Sequence, residues 1–453
     1  VPGLKTPNLD RLASEGAHLK NAFATTALCS PSRASILTGQ YAHTHTVVDN
    51  MSPQPPNLVF FPQYMQAAGY QTAFFGKWHM GGENPDPRPG FNKWVSFRGQ
   101  GTYYDPVLNI DGKNKKFDGA YTPDLLTEMA VEWLAARDKN KPFFVYLSHK
   151  SVHADFQPAK RHKDMYRDIK VQYPVSMFMT KTDSSKNFTR GLWAGQQGYT
   201  FNYQDIPSWV RAQRYSWHGV DYMYHGQTDF DQFYRDYLET LMGVDDSVGE
   251  ILKFLQKNGL DKETLVVYMG DNGFAFGEHG LIDKRTAYEA SMRVPMLARC
   301  PAMIKPGSVI KEDVLNIDVA PTFLELAGIK KPQQMQGQSF AGLMQGKVLP
   351  WRKEFFYEYY WELDFPQTPT QFAVRTDRYK YIRSHGVWDI DQLYDLEKDP
   401  HEVNNLIRDA NHQQIAKDLN AKLWRWLKDT EGLFIPLKPI NNRKRDHLYK
   451  DTW

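Results

Sequence analysis

Residues 29–39 read CSPSRASILTG. Pro31 fixes its own φ angle and lacks only an N–H that the first turn of a helix leaves unpaired, so it favours a helix start. The next residues are helix formers, and Gly39 is a typical stop. The stretch therefore predicts a short helix with Cys29 at or just before its N-terminus, where free N–H groups and the helix dipole favour an anion.

Arg33 follows Cys29 by about one helical turn, so the two side chains would share a face. A guanidinium in that place could bind, through two N–H groups, the same anion that the helix N-terminus favours. For an arbitrary cysteine the alternative is a buried, inert thiol beside a surface charge, because free cysteine is among the most buried residue types.

The whole stretch resembles the signature of the formylglycine-dependent sulfatases, Cys-x-Pro-Ser-Arg followed by a short helix and Thr-Gly. In that family the cysteine is oxidised after translation to an aldehyde, and the hydrate of this aldehyde is the nucleophile. The resemblance implies that Cys29 carries this modification and that Arg33 belongs to the same catalytic site.

A second motif occupies residues 69–79, which read GYQTAFFGKWH. Residues 73–75 predict a short buried strand, and Lys77 and His79 follow at its end. Ligands of α/β sheets gather beyond the carboxyl ends of the strands, so these two side chains are candidate site residues. The motif also resembles the second sulfatase signature, Gly-Tyr-x-Thr…Gly-Lys-Trp-His.

Two further apolar runs each predict a buried strand that ends in polar residues. PFFVYLS at 142–148 is followed by HKSVHADF with His149 and His153, and the position after a buried strand favours His153 as a site residue. TLVVYM at 264–269 delivers Asp271 and Asn272 in GDNG, whose oxygens suit Ca²⁺ or Mg²⁺. Alone, Asp-Asn-Gly is a common turn.

Family resemblance gives these positions their roles. Sulfatases carry an active-site histidine at the place of His153, their second pair of metal ligands at Asp271 and Asn272, and a further lysine that Lys284 fits within DKRTAYEASMRVP. The metal would be Ca²⁺, with Mg²⁺ possible, because hard oxygen ligands do not separate the two. The modified Cys29 would complete the visible ligands.

His43 and His45 lie two residues apart in HTHTVVDN. In an extended segment both would point to one side. Contact with substrate and a structural role are both open for this pair.

Composition narrows the classes of function. A net charge of +3 over 453 residues gives no support for nucleic-acid binding or a basic membrane patch. The two cysteines leave no internal disulfide if Cys29 is modified, and no apolar run is long enough to span a bilayer. The aromatic content of 14% fits both a carbohydrate-facing surface and a large core.

Residues 156–235 predict an irregular insertion rich in aromatic side chains. Such long loops are often functional. Stacking on sugar rings and simple loop packing are both open for its aromatic residues, which include Trp193, Tyr199, Trp209, Trp217, Tyr222 and Tyr224.

The chain opens with VPGLKTPNLDRLASEG, in which residues 8–15 predict an amphipathic helix with Leu9 and Leu12 inward. Sulfatases normally have a β-strand that ends in an Asp-Asp pair before this helix. We therefore expect that the sequence is truncated at its N-terminus and that two metal ligands lie outside it.

The remaining pattern predicts a catalytic domain over residues 1–339 and a small α+β subdomain over 340–453. Helices are expected at 61–68, 122–138 (capped by Thr122), 237–258 and 318–327, and a strand at 294–298. FAVRTDRYKYIRS alternates as an antiparallel strand does, and a helix is expected at 416–428. The resemblance implies an alkaline-phosphatase-like α/β sandwich with a large mixed central sheet and a smaller C-terminal antiparallel sheet with a helix.

The same resemblance implies hydrolysis of a sulfate ester on a carbohydrate. The hydrate at position 29 would attack sulfur, His153 would protonate the leaving alcohol with help from Lys284, and His79 would help to expel sulfate. A formylglycine-generating or sulfatase-maturing enzyme would be a partner, and the location would be periplasmic or secreted. For substrate, the chain resembles bacterial polysaccharide sulfatases and the N-acetylglucosamine-6-sulfatase branch.

Two other functions fit the sequence. Some phosphonate or phosphodiester hydrolases of the same superfamily also use a formylglycine in Cys-x-Pro-Ser-Arg. A non-catalytic glycan-binding protein could also keep the fold with an unmodified Cys29.

Overall fold

The computed structural model describes residues 3–81, 84–177, 205–220 and 229–434. Within these ranges the helices are α1 (Pro7–Ser14), α2 (Cys29–Thr38), α3 (Ala42–His45), α4 (Phe61–Ala67), α5 (Thr122–Ala136), α6 (Ser208–Gln213), α7 (Phe230–Lys257), α8 (Glu289–Met292), α9 (Val319–Leu326), α10 (Ala341–Met344) and α11 (Gln413–Asp429). The strands are β1 (Ala17–Leu19), β2 (Ala22–Phe23), β3 (Gln71–Gly76), β4 (Lys93–Ser96), β5 (Val107–Ile110), β6 (Lys113–Lys116), β7 (Phe143–Ser148), β8 (Val266–Met269), β9 (Ala275–Phe276), β10 (Ile282–Asp283), β11 (Arg293–Val294), β12 (Met296–Arg299), β13 (Ser308–Ile310), β14 (Val314–Leu315), β15 (Glu354–Tyr359), β16 (Thr370–Thr376), β17 (Tyr379–His385) and β18 (Gln392–Asp395).

Two mixed sheets contain the strands that precede Lys77, His153 and Asp271. One has the order β6-β5-β4-β3-β7, with β3 parallel to both β4 and β7, and the other has the order β13-β1-β12-β8. These sheets, covered by helices, confirm the predicted α/β class, although the large mixed sheet is divided in two. Strands β7 and β8 were predicted as fully buried, but they are mostly half-buried because each forms the edge of its sheet.

Helix α2 confirms the prediction made from residues 29–39. It begins at Cys29, all ten of its residues are buried, and it ends at Gly39 with a φ of 67°. Glycine suits this end because L side chains rarely adopt that backbone conformation and because a Cβ would meet Met335 Cγ at 3.2 Å. The short, small side chains of the helix let it lie in the core with its N-terminus facing the strand ends.

The C-terminal sheet is antiparallel, in the order β15-β16-β17-β18, and α11 packs on it as expected. Side chains of β15, among them Phe355 and Tyr357, share one hydrophobic cluster with Phe23 and Leu28 of the first part of the chain. The division of the chain at residue 339 stays a prediction.

Several local predictions were wrong in detail. Thr122 does not cap α5: Tyr121 occupies the N-cap position, and the Thr122 hydroxyl instead donates to the Thr102 carbonyl at 2.6 Å. The single strand predicted at 294–298 is two strands, β11 and β12, on either side of Pro295, which cannot donate a backbone hydrogen bond.

Part of the aromatic insertion lies outside the described residues, namely Trp193, Tyr199, Tyr222 and Tyr224. Of the aromatic residues that are described there, Trp209 is buried and Trp217 is exposed. Among the described helices, none has the length and apolar character needed to cross a membrane.

Candidate active site

The candidate site forms where α2 meets the ends of several strands. Cys29 is the first residue of α2, Lys77 directly follows β3, and Asp271 lies two residues beyond β8. His153 follows β7, and Lys284 directly follows β10. The topology thus gathers residues that are far apart in sequence, as expected for ligand sites at strand ends.

The environment of Cys29 favours negative charge. Burial raises the pKa of the thiol, but the ammonium groups of Lys284 and Lys77 and interactions with His153 and His79 hold it well below its usual range. The thiol at the helix N-terminus therefore favours the thiolate. An oxyanion at the same position would be stabilised in the same way.

The N-terminus of α2 is held by the two serines of the motif. The Ser30 hydroxyl donates to the His79 carbonyl, and the Ser30 N–H donates to Asn50 Oδ1 at 3.0 Å. The Ser32 hydroxyl donates to the Asp271 carbonyl. These contacts fix residue 29 relative to the loops that carry His79 and Asp271.

The guanidinium of Arg33 contacts groups at the ends of three strands, whereas the sequence predicted that it would bind an anion. Its Nη2 lies 2.8 Å from Asp271 Oδ2, and its Nη1 donates at 2.6 Å both to the Lys77 carbonyl and to Ser148 Oγ. Burial lowers the pKa of Arg33, but Asp271 outweighs it and raises the pKa above its usual value. Arg33 thereby aligns the loops after β3, β7 and β8.

Three buried lysines interact electrostatically with Cys29: Lys77, Lys150 and Lys284, which we call the site lysines. Among the described residues, none of their ammonium groups has a hydrogen bond or an ion pair. Burial is the main cause that lowers the pKa of Lys77 to about 8, while Cys29 partly offsets it. Buried cations without partners are costly, so their arrangement fits the binding of an external anion.

Both predicted histidines flank Cys29. Burial, Lys284 and Lys77 lower the pKa of His153 to about 3, and burial and Lys77 lower that of His79. His79 Nε2 lies 3.2 Å from Gln100 Nε2, and His153 Nδ1 donates to the Ala154 carbonyl at 2.5 Å. Both rings are therefore neutral near pH 7.

Asp271 and Asn272 fit a hard cation as two of its ligands. Arg33 keeps the pKa of Asp271 low although burial raises it, so the carboxylate is charged. The Asn272 amide donates to the Gly273 carbonyl at 2.8 Å, whereas its buried Oδ1 accepts no hydrogen bond from the described residues. Within the described part of the chain, no group of three or more His, Cys, Asp or Glu side chains could hold a metal ion.

His43 and His45 lie in the short helix α3 and not in an extended segment. Both rings are buried: His43 Nδ1 lies 2.7 Å from Glu358 Oε2, and His45 Nε2 lies 3.0 Å from Ser35 Oγ. These contacts give the pair a structural environment, and their contact with substrate stays a prediction.

Sequence reasoning did not select Lys150, Tyr103 or Ser148. Lys150 stands in the quoted HKSVH stretch, and its place two residues after a buried run is the signal that could have identified it. Tyr103 and Ser148 act through contacts with residues 50 and 115 positions away, which no local pattern shows.

The sulfatase family model matches residues 2–329, which is more than half of the chain. The chain belongs to the sulfatase family. A second model, the C-terminal region of N-sulphoglucosamine sulphohydrolase, matches residues 277–429 of this sulfatase.

Individual relatives agree with this assignment. The sulfatase is 34% identical to an N-acetylglucosamine-6-O-sulfatase of Bacteroides thetaiotaomicron, over 92% of this chain and 80% of the relative. It is 27% identical to an ulvan-active sulfatase of Formosa agariphila, over 93% of this chain and 76% of the relative. A solved structure described as a complex with its substrate D-glucosamine-2-N,6-O-disulfate has a TM-score of 0.80 at 32% identity, covering 95% of this chain and 94% of the other.

A phosphonate monoester hydrolase of Agrobacterium radiobacter has a TM-score of 0.70 at 20% identity, covering 95% of this chain and 92% of the other. This likeness confirms the alkaline-phosphatase-like fold. The chain is a sulfatase, so the non-catalytic glycan-binding alternative is set aside.

Proposed function

We propose that this sulfatase removes sulfate from a sulfated carbohydrate, with a glucosamine or N-acetylglucosamine 6-sulfate unit as the substrate class. The relatives that act on such sugars support the choice of substrate. The observation that carries the proposal is the set of three buried, unpaired site lysines around Cys29 in the sulfatase motif.

Charge explains how the site binds a sulfate ester. The ester is an anion, and it would repel any nucleophile that carries negative charge. Lys77 and Lys284 supply fixed positive charge beside residue 29, where the oxygens of the sulfate would lie. Such preorganised groups act strongly in a buried site because no water has to reorganise when charge develops.

Oxidation of Cys29 to formylglycine, by a formylglycine-generating or sulfatase-maturing enzyme, would supply a hydrated aldehyde with two ionisable hydroxyls on one carbon. A thiol has one ionisable group, so it could attack sulfur but could not expel sulfate afterwards. The surroundings lower the pKa of the thiol, and this supports an anion at the same position. Ser30 and Ser32 keep residue 29 in place during both stages.

Proton transfer to the leaving alcohol would use His153, with Lys284 assisting. The His153 ring is neutral near pH 7 because burial and two ammonium groups lower its pKa to about 3. A bound sulfate anion offsets those ammonium charges, so it raises the proton affinity of His153 when the substrate arrives. His79, whose ring interacts with the side chain of residue 29, would take a proton when sulfate leaves.

Asp271 and Asn272 would hold Ca²⁺, or Mg²⁺ in its place, together with the modified residue 29. A divalent cation at this point supplies Lewis-acid stabilisation of the sulfate group. Two protein oxygens are fewer than the about six to eight that Ca²⁺ takes, so other ligands would complete the shell. The orphaned Asn272 Oδ1 is the observation that supports this site.

The compartment is part of the proposal. Relatives named extracellular sulfatases in Drosophila melanogaster and Caenorhabditis elegans support a secreted or periplasmic location.

Release of inorganic sulfate from defined sugars tests the proposal. The panel would contain N-acetylglucosamine 6-sulfate, glucosamine 2-N,6-O-disulfate, and galactose and uronic-acid sulfates of algal type. We expect the glucosamine compounds to be turned over fastest. Inactivity on every sulfated sugar would refute the carbohydrate assignment, and faster hydrolysis of an aryl phosphodiester than of an aryl sulfate would favour the phosphodiesterase alternative.

A further inference from the structure

Lys150 is the site lysine that the proposed reaction does not use. It lies two residues after β7, the residue is 6% exposed, and its Nζ lies 4.8 Å from the centre of the Tyr103 ring. A cation above an aromatic face is attracted to the negative face of the ring. The ring thus holds the ammonium group without neutralising it.

Tyr103 is itself a fixed support. Its hydroxyl donates to the His153 carbonyl at 2.7 Å and accepts from the His153 N–H at 3.1 Å. The same N–H points to the Lys150 carbonyl at 3.0 Å. Lys150 and His153 therefore lie in one turn, and the ring and hydroxyl of Tyr103 hold this turn in position.

The charge of Lys150 interacts with other charged groups of the site. Burial and the charge of Lys77 lower the pKa of Lys150 to about 8, and Cys29 and Lys284 also act on it. Asp155 attracts the ammonium group without forming an ion pair. Among the described residues, Lys150 has no hydrogen-bond acceptor for the three donors of its ammonium group.

We propose that Lys150 binds a sulfate oxygen of the substrate and is a third ammonium ligand of that anion beside Lys77 and Lys284. This inference rests on the proposed function. The oxygen belongs either to the sulfate that is transferred or to a second sulfate on the same sugar. An anion would accept hydrogen bonds from the three N–H donors of the Lys150 ammonium group. It would also remove the cost of a buried charge without a partner.

A purely structural role is the competing explanation, in which Lys150 only packs on Tyr103. The chain offers a matched control for this. Lys115 of the exposed strand β6 has its Nζ 4.8 Å from the centre of the Phe117 ring, on a stretch of chain that contributes none of the site residues. Lys150→Met and Lys115→Met remove the same charge from the same kind of ring contact.

The first test is calorimetric titration of the folded variants with inorganic sulfate. Binding needs no turnover, so this result is independent of which sugar the enzyme cleaves. We expect Lys150→Met to weaken sulfate binding roughly 10- to 100-fold, the range for a lost charged hydrogen bond. We expect Lys115→Met to bind as the unaltered protein does, and Lys150→Arg to recover part of the affinity.

The second test separates the two sources of the anion. Initial rates with glucosamine 6-sulfate and with glucosamine 2-N,6-O-disulfate are compared for the unaltered protein and Lys150→Met. Equal losses in kcat/KM, accompanied by weaker binding of inorganic sulfate, assign the contact to the transferred sulfate. A loss confined to the disulfate, with a raised KM and an unchanged kcat, assigns it to the second sulfate.

Unchanged sulfate affinity together with unchanged kinetics on both sugars would overturn the proposal. So would a lower melting temperature with kcat reduced and neither KM nor sulfate affinity changed, because that pattern belongs to a packing role. If the unaltered protein bound sulfate through Lys150 but cleaved neither sugar, the proposed substrate would be wrong and the anion contact would stand.

Discussion

Two groups of buried charge differ in whether the protein neutralises them. The site lysines around Cys29 have no partner among the described residues. By contrast, Lys380 of β17, which is fully buried, lies 3.1 Å from Glu289 Oε1 and 2.5 Å from Glu402 Oε1. Arg375 of β16 binds Glu289 at 2.9 Å and Asp313 at 3.2 Å.

We call these five residues of the second group the C-terminal ion cluster. Every cation in it faces a carboxylate, so none of its cations is left without a partner, and the cluster links the C-terminal sheet to α8. The site lysines are balanced only when an anion enters. The same chemical groups therefore serve stability in one region and binding in the other.

The largest expected effect comes from removing the group that the site lysines surround. Cys29→Ala should lower kcat/KM for sulfate release by roughly a thousandfold or more, since the nucleophile is lost. Cys300→Ala is the matched control, because Cys300 is also buried but its pKa is raised by burial. Sulfate release measured on both variants checks this, and an active Cys29→Ala protein would refute the assignment of the nucleophile.

Breaking the C-terminal ion cluster should affect stability rather than chemistry. Lys380→Met leaves Glu402 buried without its cation, while Glu289 keeps Arg375, and this should cost about 3–5 kcal/mol of unfolding free energy. Lys353→Met removes an exposed lysine whose Nζ lies 3.9 Å from Asp377 and should cost about 0–1 kcal/mol. Urea denaturation measures both; equal losses would contradict the distinction between the two regions.

Removing a site lysine should reduce activity rather than stability. Lys284→Met should reduce kcat by about 100- to 1000-fold, as expected for a lost stabilising charge in the transition state. Its melting temperature should not fall, because the substitution also removes a buried charge that has no partner. Lys305→Met, at an exposed position, provides the control, and a Lys284→Met protein that is destabilised but fully active would break the comparison.

The smallest expected effect concerns the pH dependence of stability at His43. Burial lowers the pKa of His43, but Glu358 outweighs it and raises the pKa above the usual value. The folded state then holds the proton more tightly, so this contribution is complete below the unfolded pKa and is lost as pH rises through the folded pKa. Unfolding free energies at pH 6 and pH 9 should differ less in His43→Gln, and an unchanged difference would refute the charged pair.

Sequence reasoning succeeded where the determinants are local. Pro31 and Gly39 bound α2 through backbone preferences that act within one or two residues, and the apolar runs before Lys77, His153 and Asp271 predict strands by their continuity. The rule that ligands gather at strand ends then placed these residues in one site without knowledge of the contacts between them.

The partners of charged groups could not be predicted in this way. Arg33 contacts groups that lie 44, 115 and 238 positions away in the sequence. Because no local pattern shows such partners, the sequence predicted that Arg33 would bind an anion, whereas the fold gives it three internal partners. Lys150 depends on Tyr103, which lies on a separate loop. Helix α3, too, is stabilised through Glu358 in β15, whereas its local sequence allowed an extended segment.

The mass of the peptide that contains residue 29, isolated from protein that releases sulfate, tests the central claim most directly. The account predicts a peptide about 18 Da lighter than its sequence mass, as expected for conversion of cysteine to the aldehyde. An unmodified thiol peptide in fully active protein would contradict it.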